Sequence, residues 1–123
     1  MHLCKRYGIT LINVFDDHPE GHVLFAANYK NKKPYDTITY NEVSQWTSKN
    51  NGIGERAEFK LSELKRFLQQ RPNQQETLRP DHCLHATQGV QLTEPLKRED
   101  FTIHIPKGTW YTSAGYSGFD DTY

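Results

Sequence analysis

The sequence of 123 residues has little cysteine, no long apolar run and no excess of charge of either sign. Its two cysteines, Cys4 and Cys83, are too few for a disulfide scaffold and lack the spacing of a zinc site. No apolar stretch approaches the ~20 residues of a membrane span, and residues 1–8 lack the apolar segment of a signal peptide. We therefore expect free thiols, with one bridge as the alternative, a cytoplasmic location and no membrane partner.

The charges balance overall but are unevenly spread along the chain. Fifteen Lys and Arg against fifteen Asp and Glu exclude the strongly basic surface of a protein that coats DNA, so we expect no extended DNA binding. Residues 1–71 carry 11 basic and 8 acidic residues, whereas residues 72–123 carry 4 and 7. The basic first part favours a small anionic ligand or a self-complementary contact in a homo-oligomer.

Hydrophobic residues make up a low 35% of the chain, but aromatic residues reach 12%, which is too many for a disordered polypeptide. A chain of this length buries roughly two-thirds of its unfolded surface without a metal or disulfide. We therefore expect one folded domain over residues 1–123.

Alternating apolar residues predict β-strands in the first and last thirds of the chain. Residues 7–15 predict a strand covered on both faces, and residues 22–29 predict its hairpin partner across a Pro- and Gly-containing turn. Shorter strands are predicted in the last third, at residues 82–87, 90–92, 101–105 and 109–111.

A capping box predicts the start of a helix in the middle of the chain. The hydroxyl of Thr39 can accept a hydrogen bond from the Glu42 amide, and Ile38 and Val43 stand at the positions of a hydrophobic staple. We expect this helix to cover residues 40–49.

The second predicted helix has two versions. Ser62 fits the N-cap of a helix over residues 63–70, but a single helix over residues 55–70 also places its leucines on one face. Pro72 ends either version. The predicted fold class is α+β, with an antiparallel or mixed β-sheet, open or partly closed, and two helices inserted mid-chain.

Two histidine-containing segments carry potential metal ligands. The acidic turn of residues 16–22 contains His18 and His22 and could surround a divalent cation, or it could be a solvated turn. In the second segment, His82 and His85 would point to opposite faces of a strand, so a zinc site there would need distant ligands. We expect no metal and no cofactor.

His85-Ala86-Thr87 resembles the His-x-Thr motif of the two-histidine phosphoesterases, and Thr102 and His104 form a similar pair in reversed order. The resemblance implies cleavage of a phosphodiester, with one imidazole accepting a proton and the other donating one. Two structural histidines in strands are the alternative.

Pro106-x-Gly108 followed by Tyr111 resembles the second signature of the cupin barrels. The position of Tyr111 is normally a metal-binding histidine in that family. The resemblance therefore implies a strand–turn–strand at Pro106 and no metal site.

Two segments combine aromatic and polar residues in a way typical of binding surfaces. In the first segment, residues 28–35, lysines can neutralise phosphate while a tyrosine stacks on a base. Alternatively, the segment is a solvated hairpin edge whose lysines prevent aggregation. The second segment, residues 109–119, can line a ligand pocket or a protein interface, or it can close one end of the sheet. The candidate ligand-binding residues are Lys30, Lys32, Lys33, Tyr35, Trp110, Tyr111 and Tyr116.

The leading prediction is a non-enzymatic binding protein for a nucleotide or another phosphate-bearing small molecule, or for a protein partner. A small phosphodiesterase or ribonuclease that uses His85 and His104 is the first alternative. The second is an inhibitor or assembly factor with Trp110, Tyr116 and Phe119 as interface anchors. Because small chains of this kind are often encoded by phages or other mobile elements, such an origin is also expected.

Overall fold

The computed structural model of the chain describes residues 1–119 and contains few helices and little sheet. The elements are α1 (His2–Arg6), β1 (Ile12–Asp16), β2 (Thr37–Thr39), α2 (Tyr40–Ser44), α3 (Leu61–Gln69), β3 (Gln75–Thr77) and β4 (Ile103–Lys107). The predicted α+β class is therefore confirmed.

The strands form two small sheets instead of the one that was expected. β1 pairs in parallel with β4, with Ile12 opposite Ile103 and Asp16 opposite Lys107. β2 pairs antiparallel with β3. The parallel pair joins the beginning of the chain to its last third, and this pairing positions the site described below.

The predicted hairpin of residues 7–15 and 22–29 is wrong. The first strand begins only at Ile12, after α1 and the left-handed residue Gly8 (φ 66°). Residues 22–29 instead form turns and a short 3-10 helix (Ala26–Asn28), in which consecutive apolar side chains from Val23 to Ala26 are buried, a pattern that a strand with one buried face does not give. Their backbone bonds go to distant loops, as from the amide of Val23 to the carbonyl of Tyr111 at 2.7 Å.

Half of the predicted capping box at α2 is present: the Glu42 amide donates to the Thr39 hydroxyl at 3.1 Å, but the Glu42 carboxylate accepts from Lys32 at 2.9 Å instead of from the Thr39 backbone. The helix is shorter than predicted and ends at Ser44. Thr47 and Asn50 close a turn beyond it, where the Thr47 amide donates to the Asn50 carbonyl at 3.0 Å. This turn ends the helix before residue 49.

α3 begins at Leu61, so both predicted versions of this helix have the wrong start. The carboxylate of Glu63 accepts from the Lys60 amide at 2.7 Å and so caps the first turn. The helix ends at Gln69, ahead of Pro72 as predicted.

The last third holds less strand than predicted. β4 contains only residues 103–105 of the predicted strand, and Ile103 is exposed instead of facing the core. Residues 82–87, 90–92 and 109–111 form turns, bends and the end of a 3-10 helix. The strand–turn–strand expected at Pro106 is present only as its first strand and the turn at Gly108. The sequence predicts that residues 113–123 cover the fold as coil, and residues 120–123 of this segment lie outside the described residues.

The hydrophobic core lies between α2, α3 and the segment around residues 23–29. Apolar side chains on one face of the β1–β4 pair stay exposed, among them Ile12, Val14 and Ile103. In residues 1–119, no helix is long and apolar enough to cross a membrane. The fully buried side chains of the core include Phe25, Ile38, Val43, Leu64, Leu68 and Leu78.

Candidate metal centre and its cavity

Three potential metal ligands converge where β1 ends. Asp16, His18 and His82 each offer one ligand atom, and these three atoms lie within 4.8 Å of one another. The two imidazole rings are 5.0 Å apart between centroids. One carboxylate and two imidazoles form a donor set that suits a divalent transition metal.

Backbone carbonyls orient both histidine rings of this cluster. His18 Nδ1 lies 2.8 Å from the Gly108 carbonyl, and His82 Nδ1 lies 2.9 Å from the Pro80 carbonyl. A carbonyl accepts only, so each Nδ1 carries the proton and each Nε2 keeps its lone pair. His18 Nε2 faces the cluster, at 3.8 Å from Asp16 Oδ1. The rings are thus held in the tautomer that can ligate a metal through Nε2.

The parallel strands bring a lysine to the same place. Asp16 and Lys107 are register partners, and the Lys107 ammonium donates to the Asp16 carboxylate and, at 2.6 Å, to the carbonyl of Gly115. The chain then turns at Gly108 with φ +63°, which only glycine adopts readily. A Cβ at Gly108 would lie 2.2 Å from His18 Cε1. Gly108 therefore permits the close approach of His18.

Two loops are joined to each other to complete the cluster. The His18 amide donates to the Cys83 carbonyl at 2.9 Å, and the His85 amide donates to the His18 carbonyl at 2.8 Å. These bonds place the segment that carries His82 beside His18, although the two are far apart in sequence.

A buried asparagine ties the His82 loop to the core. Asn28 donates to the carbonyls of Glu20 and His22 at 2.9 and 2.7 Å, and it accepts from Arg56 Nε at 2.8 Å. Arg56 in turn makes two bonds of 2.7 and 2.8 Å to the carboxylate of Asp81, the residue before His82. Asn28 thus connects the loop that follows His18 with the loop that carries His82.

Burial keeps the histidines of this region neutral. It lowers the pKa of His18, although the hydrogen bond to Gly108 opposes the shift. Burial and the neighbouring His18 lower the pKa of His22 to about 3, although the Ser113 backbone opposes this. Neutral imidazole is the metal-binding form, so the lowered pKa of His18 favours metal binding by this residue at neutral pH.

The thiol of Cys83 is not activated. Its pKa is raised by burial and by the carboxylate of Asp16, with Lys107 opposing the shift. Since the thiolate is the nucleophilic form of cysteine, Cys83 is protonated and weakly reactive at neutral pH.

The cluster forms one end of a cavity of about 320 Å³. Leu24 and Pro80 add apolar surface, while Tyr35, Arg79 and Tyr116 add aromatic and charged groups. A cavity of this size is at the lower end of the usual range for small ligands. The arrangement can bind a small planar molecule next to a cation.

The histidines of the predicted phosphoesterase site lie in a different cavity, of about 560 Å³. His85, Thr87 and His104 all line it, but His85 Nδ1 is bonded to Asp17 at 2.8 Å and the Thr87 hydroxyl donates to the Leu84 carbonyl at 2.6 Å. His104 Nε2 donates to the Arg98 carbonyl at 3.1 Å, and its Nδ1 lies 3.3 Å from Nδ2 of the Asn13 side chain. With both ring nitrogens engaged, His104 cannot exchange a proton with a substrate.

The structure does not bring the seven candidate ligand-binding residues to one place. Tyr35 and Tyr116 line the metal-centre cavity. Lys32 pairs with Glu42 at 2.9 Å, and Trp110 stacks on Tyr111 with ring centroids 4.4 Å apart. Lys30 reaches the Asn51 carbonyl at 3.4 Å, and Lys33 is exposed.

Comparison with known proteins gives a consistent answer on the fold. No protein-family model matches this chain. The nicotinamidase of Saccharomyces cerevisiae is 30% identical over 109 residues, which are 86% of this chain and 40% of the relative. A solved structure of yeast nicotinamidase matches with a TM-score of 0.59 and 24% identity, covering 97% of this chain and 46% of that one.

A further match is a nicotinamidase and pyrazinamidase of Acinetobacter baumanii, with a TM-score of 0.52, 22% identity and coverage of 83% of this chain and 34% of that one. The chain has the fold of part of a nicotinamidase. It spans 40% of the length of its curated nicotinamidase relative.

These comparisons correct the predicted functions. A nicotinamidase is a hydrolytic enzyme, so the prediction of a non-enzymatic protein that binds a nucleotide or another phosphate-bearing ligand is wrong. The alternative predictions, a phosphodiesterase or ribonuclease and an inhibitor or assembly factor, are wrong as well. The curated relative is a yeast protein, which also corrects the expected phage origin. The bonded state of His104 is the physical reason against the phosphodiesterase.

The sequence predicts His18 and His82 as potential metal ligands, but in two separate segments. It does not predict that the two histidines lie together. The signal that was available is the repeated Asp–His pairing, in Asp16-x-His18 and in Asp81-His82.

Proposed function

We propose that this chain provides the metal-binding portion of a nicotinamidase-like amidohydrolase. The proposed reaction is hydrolysis of the carboxamide on a nitrogen-containing aromatic ring to a carboxylate and an ammonium ion, with one water consumed. The observation that carries it is the Asp16–His18–His82 cluster, which lies within a chain whose fold is similar to nicotinamidases over nearly its whole length.

Asp16, His18 and His82 would hold the cation, and the donor set fits it. Both imidazoles present a lone pair because their Nδ1–H groups bond to backbone carbonyls. The carboxylate of Asp16 has two oxygens, so it can contact Lys107 and a metal together. When bound, a divalent cation supplies Lewis-acid chemistry, which polarises a coordinated oxygen or nitrogen atom.

Lys107 supplies a fixed positive charge beside this cluster. Its ammonium is mostly buried and is oriented by Asp16 and by the Gly115 carbonyl. A preorganised ammonium stabilises the negative charge that develops on a carbonyl oxygen during acyl transfer. The cavity walls Leu24, Tyr35 and Pro80 offer apolar and aromatic surface that suits a flat ring.

The first test is calorimetric titration of the purified chain with Zn²⁺ alone. We expect one site that His82→Ala weakens by about 100-fold or more, because it removes one of three ligands. His85→Ala is the matched control and should change the affinity by less than about twofold, since His85 lies outside the cluster and pairs with Asp17. Equal losses in both variants, or no Zn²⁺ binding, would overturn the metal assignment.

The second test measures ammonia released from nicotinamide and from pyrazinamide by the Zn²⁺-loaded chain. We expect release that is lost in Lys107→Met, with Zn²⁺ binding retained. Circular dichroism of each variant checks that the fold is intact. Release that is unaffected by Lys107→Met would overturn the role of the ammonium, and no release from either amide would overturn the reaction.

A further inference from the structure

The cavity beside the metal centre contains a guanidinium group whose role the proposed reaction does not explain. Arg79 lines the cavity together with Tyr35 and Tyr116. Its backbone is held on both sides, since the Arg79 amide donates to the Leu24 carbonyl at 2.7 Å and the Arg79 carbonyl accepts from Ala26 at 3.0 Å. The side chain therefore starts from a fixed position at the wall of the cavity.

The other cations near this cavity are neutralised by carboxylates. Lys107 pairs with Asp16, and Arg71 pairs with Glu76 at 2.8 Å. Among residues 1–119, Arg79 has no carboxylate within ion-pair distance. Arg79 is exposed, so its guanidinium is accessible to an anionic ligand that enters the cavity.

Neighbouring groups hold the Arg79 side chain without neutralising it. The Arg79 guanidinium lies beside the hydroxyl of Tyr116, and that hydroxyl donates to Glu76 at 2.9 Å. The oxygens of Glu76 also accept from Arg71 and from the Thr77 amide. A guanidinium has five N–H donors in a planar fork that matches a carboxylate, and one contact to a hydroxyl leaves most of them free.

We propose that the cavity selects an aromatic amide that carries a second, anionic substituent, and that Arg79 binds this carboxylate while the carboxamide lies at the metal centre. This inference rests on the proposed function for the reacting end of the ligand. It adds a specificity-determining residue and a substrate class, the carboxylate-bearing heteroaromatic amides. A cavity of about 320 Å³ has room for one ring with two small substituents.

The test compares two ligands that differ in one carboxylate: nicotinamide and 5-carbamoylpyridine-3-carboxylate. Their affinities are measured by calorimetry on the Zn²⁺-loaded chain and again without Zn²⁺. We expect the anionic amide to bind about tenfold or more tightly, because a charge-assisted bidentate contact is added. Arg79→Gln should remove this preference and leave nicotinamide within about twofold, and Arg79→Lys should restore part of it.

The matched control is Lys33→Gln, which removes the same charge from an exposed side chain outside the cavity. It should leave the preference unchanged. Equal affinity of the two amides for the wild type, or equal weakening of both by Arg79→Gln, would overturn the inference while leaving Zn²⁺ binding and ammonia release as they are. Absence of binding by either amide would overturn both this inference and the proposed function.

Discussion

The histidines near the two faces of the β1–β4 pair differ in their exposure and in the bonding of their ring nitrogens. On the face of Asp16 and Lys107, the His18 side chain is 5% exposed, and its Nδ1 is held by a backbone carbonyl while its Nε2 faces other ligands. On the face of Asn13 and Asp17, the His85 side chain is 74% exposed and both nitrogens of His104 are bonded.

The difference shows why the larger cavity is not the better candidate for chemistry. The cavity of about 560 Å³ has two histidines, as the smaller one does, but both ring nitrogens of His104, the Nδ1 of His85 and the hydroxyl of Thr87 are already bonded. The smaller cavity of about 320 Å³ has ligand atoms with free lone pairs that converge on one point. Convergence of unengaged groups, and not the number of reactive residue types, marks the site.

The largest loss of stability is expected from a substitution of Asn28, which supports the cluster on the face of Asp16 and Lys107 (the first face; the face of Asn13 and Asp17 is the second). Asn28→Ala removes two bonds to the Glu20 and His22 carbonyls and leaves Arg56 without its buried partner. We expect a loss of about 3 kcal/mol in the free energy of unfolding, because buried polar groups lose their partners. Urea denaturation measures it.

The matched variant on the second face is Asn13→Ala, which breaks one bond of 3.3 Å to His104. It should cost about 0.5–1 kcal/mol, as one partly exposed hydrogen bond does. Similar losses in the two asparagine variants would contradict the contrast between the faces.

An intermediate effect is expected at the glycine that His18 approaches. In Gly108→Ala the new Cβ meets the imidazole of His18 and the backbone keeps φ at +63°. We expect a loss of about 1–2 kcal/mol from the backbone strain and a tenfold or greater fall in Zn²⁺ affinity from displacement of the ring. Denaturation and calorimetric titration measure the two quantities.

Gly89 provides the comparison on the second face. A Cβ there would lie 3.4 Å from the nearest atoms of Cys83, an ordinary contact. Gly89→Ala should therefore change stability by less than about 0.5 kcal/mol and leave Zn²⁺ affinity unchanged. A loss of Zn²⁺ affinity in Gly89→Ala as large as in Gly108→Ala would mean that general loop packing, not the His18 ring, controls the site.

Local signals predicted the parts of this fold that depend on adjacent residues. The cap at Thr39 and the end of α3 before Pro72 follow from neighbouring side chains and backbone angles. The parallel pairing of β1 with β4 joins residues about 90 positions apart, and the hydrophobic alternation of each strand fits several partners equally well. The predicted hairpin followed the shortest connection and was therefore wrong.

The site was hidden for the same reason. Asp16 and His18 are close in sequence, but the third ligand comes from a loop placed by the bonds of His18 with Cys83 and His85. Alternation predicted that His82 and His85 would point apart on a strand. They do separate, one to each cavity, although the segment is not a strand.

The smallest effect is expected from the ion pair that holds the His82 loop. The hydrogen bond and charge of Arg56 lower the pKa of Asp81 below its usual value. A carboxyl group whose pKa is lowered by folding stabilises the folded state above its unfolded pKa of about 3.9, and this contribution is lost as the pH falls through the folded value. At neutral pH the pair is worth at most about 1 kcal/mol, because both side chains are about one-third exposed.

Asp81→Asn should therefore flatten the acid limb of the stability curve below about pH 4, while the wild type loses stability there. Arg56→Gln should flatten the same limb, and the double variant should add little, because both residues contribute to one interaction. Urea denaturation at several pH values gives the curves. An acid limb that is equally steep in Asp81→Asn would place the acid-sensitive interaction elsewhere, and the His82 loop would then be held mainly through the backbone bonds of His18.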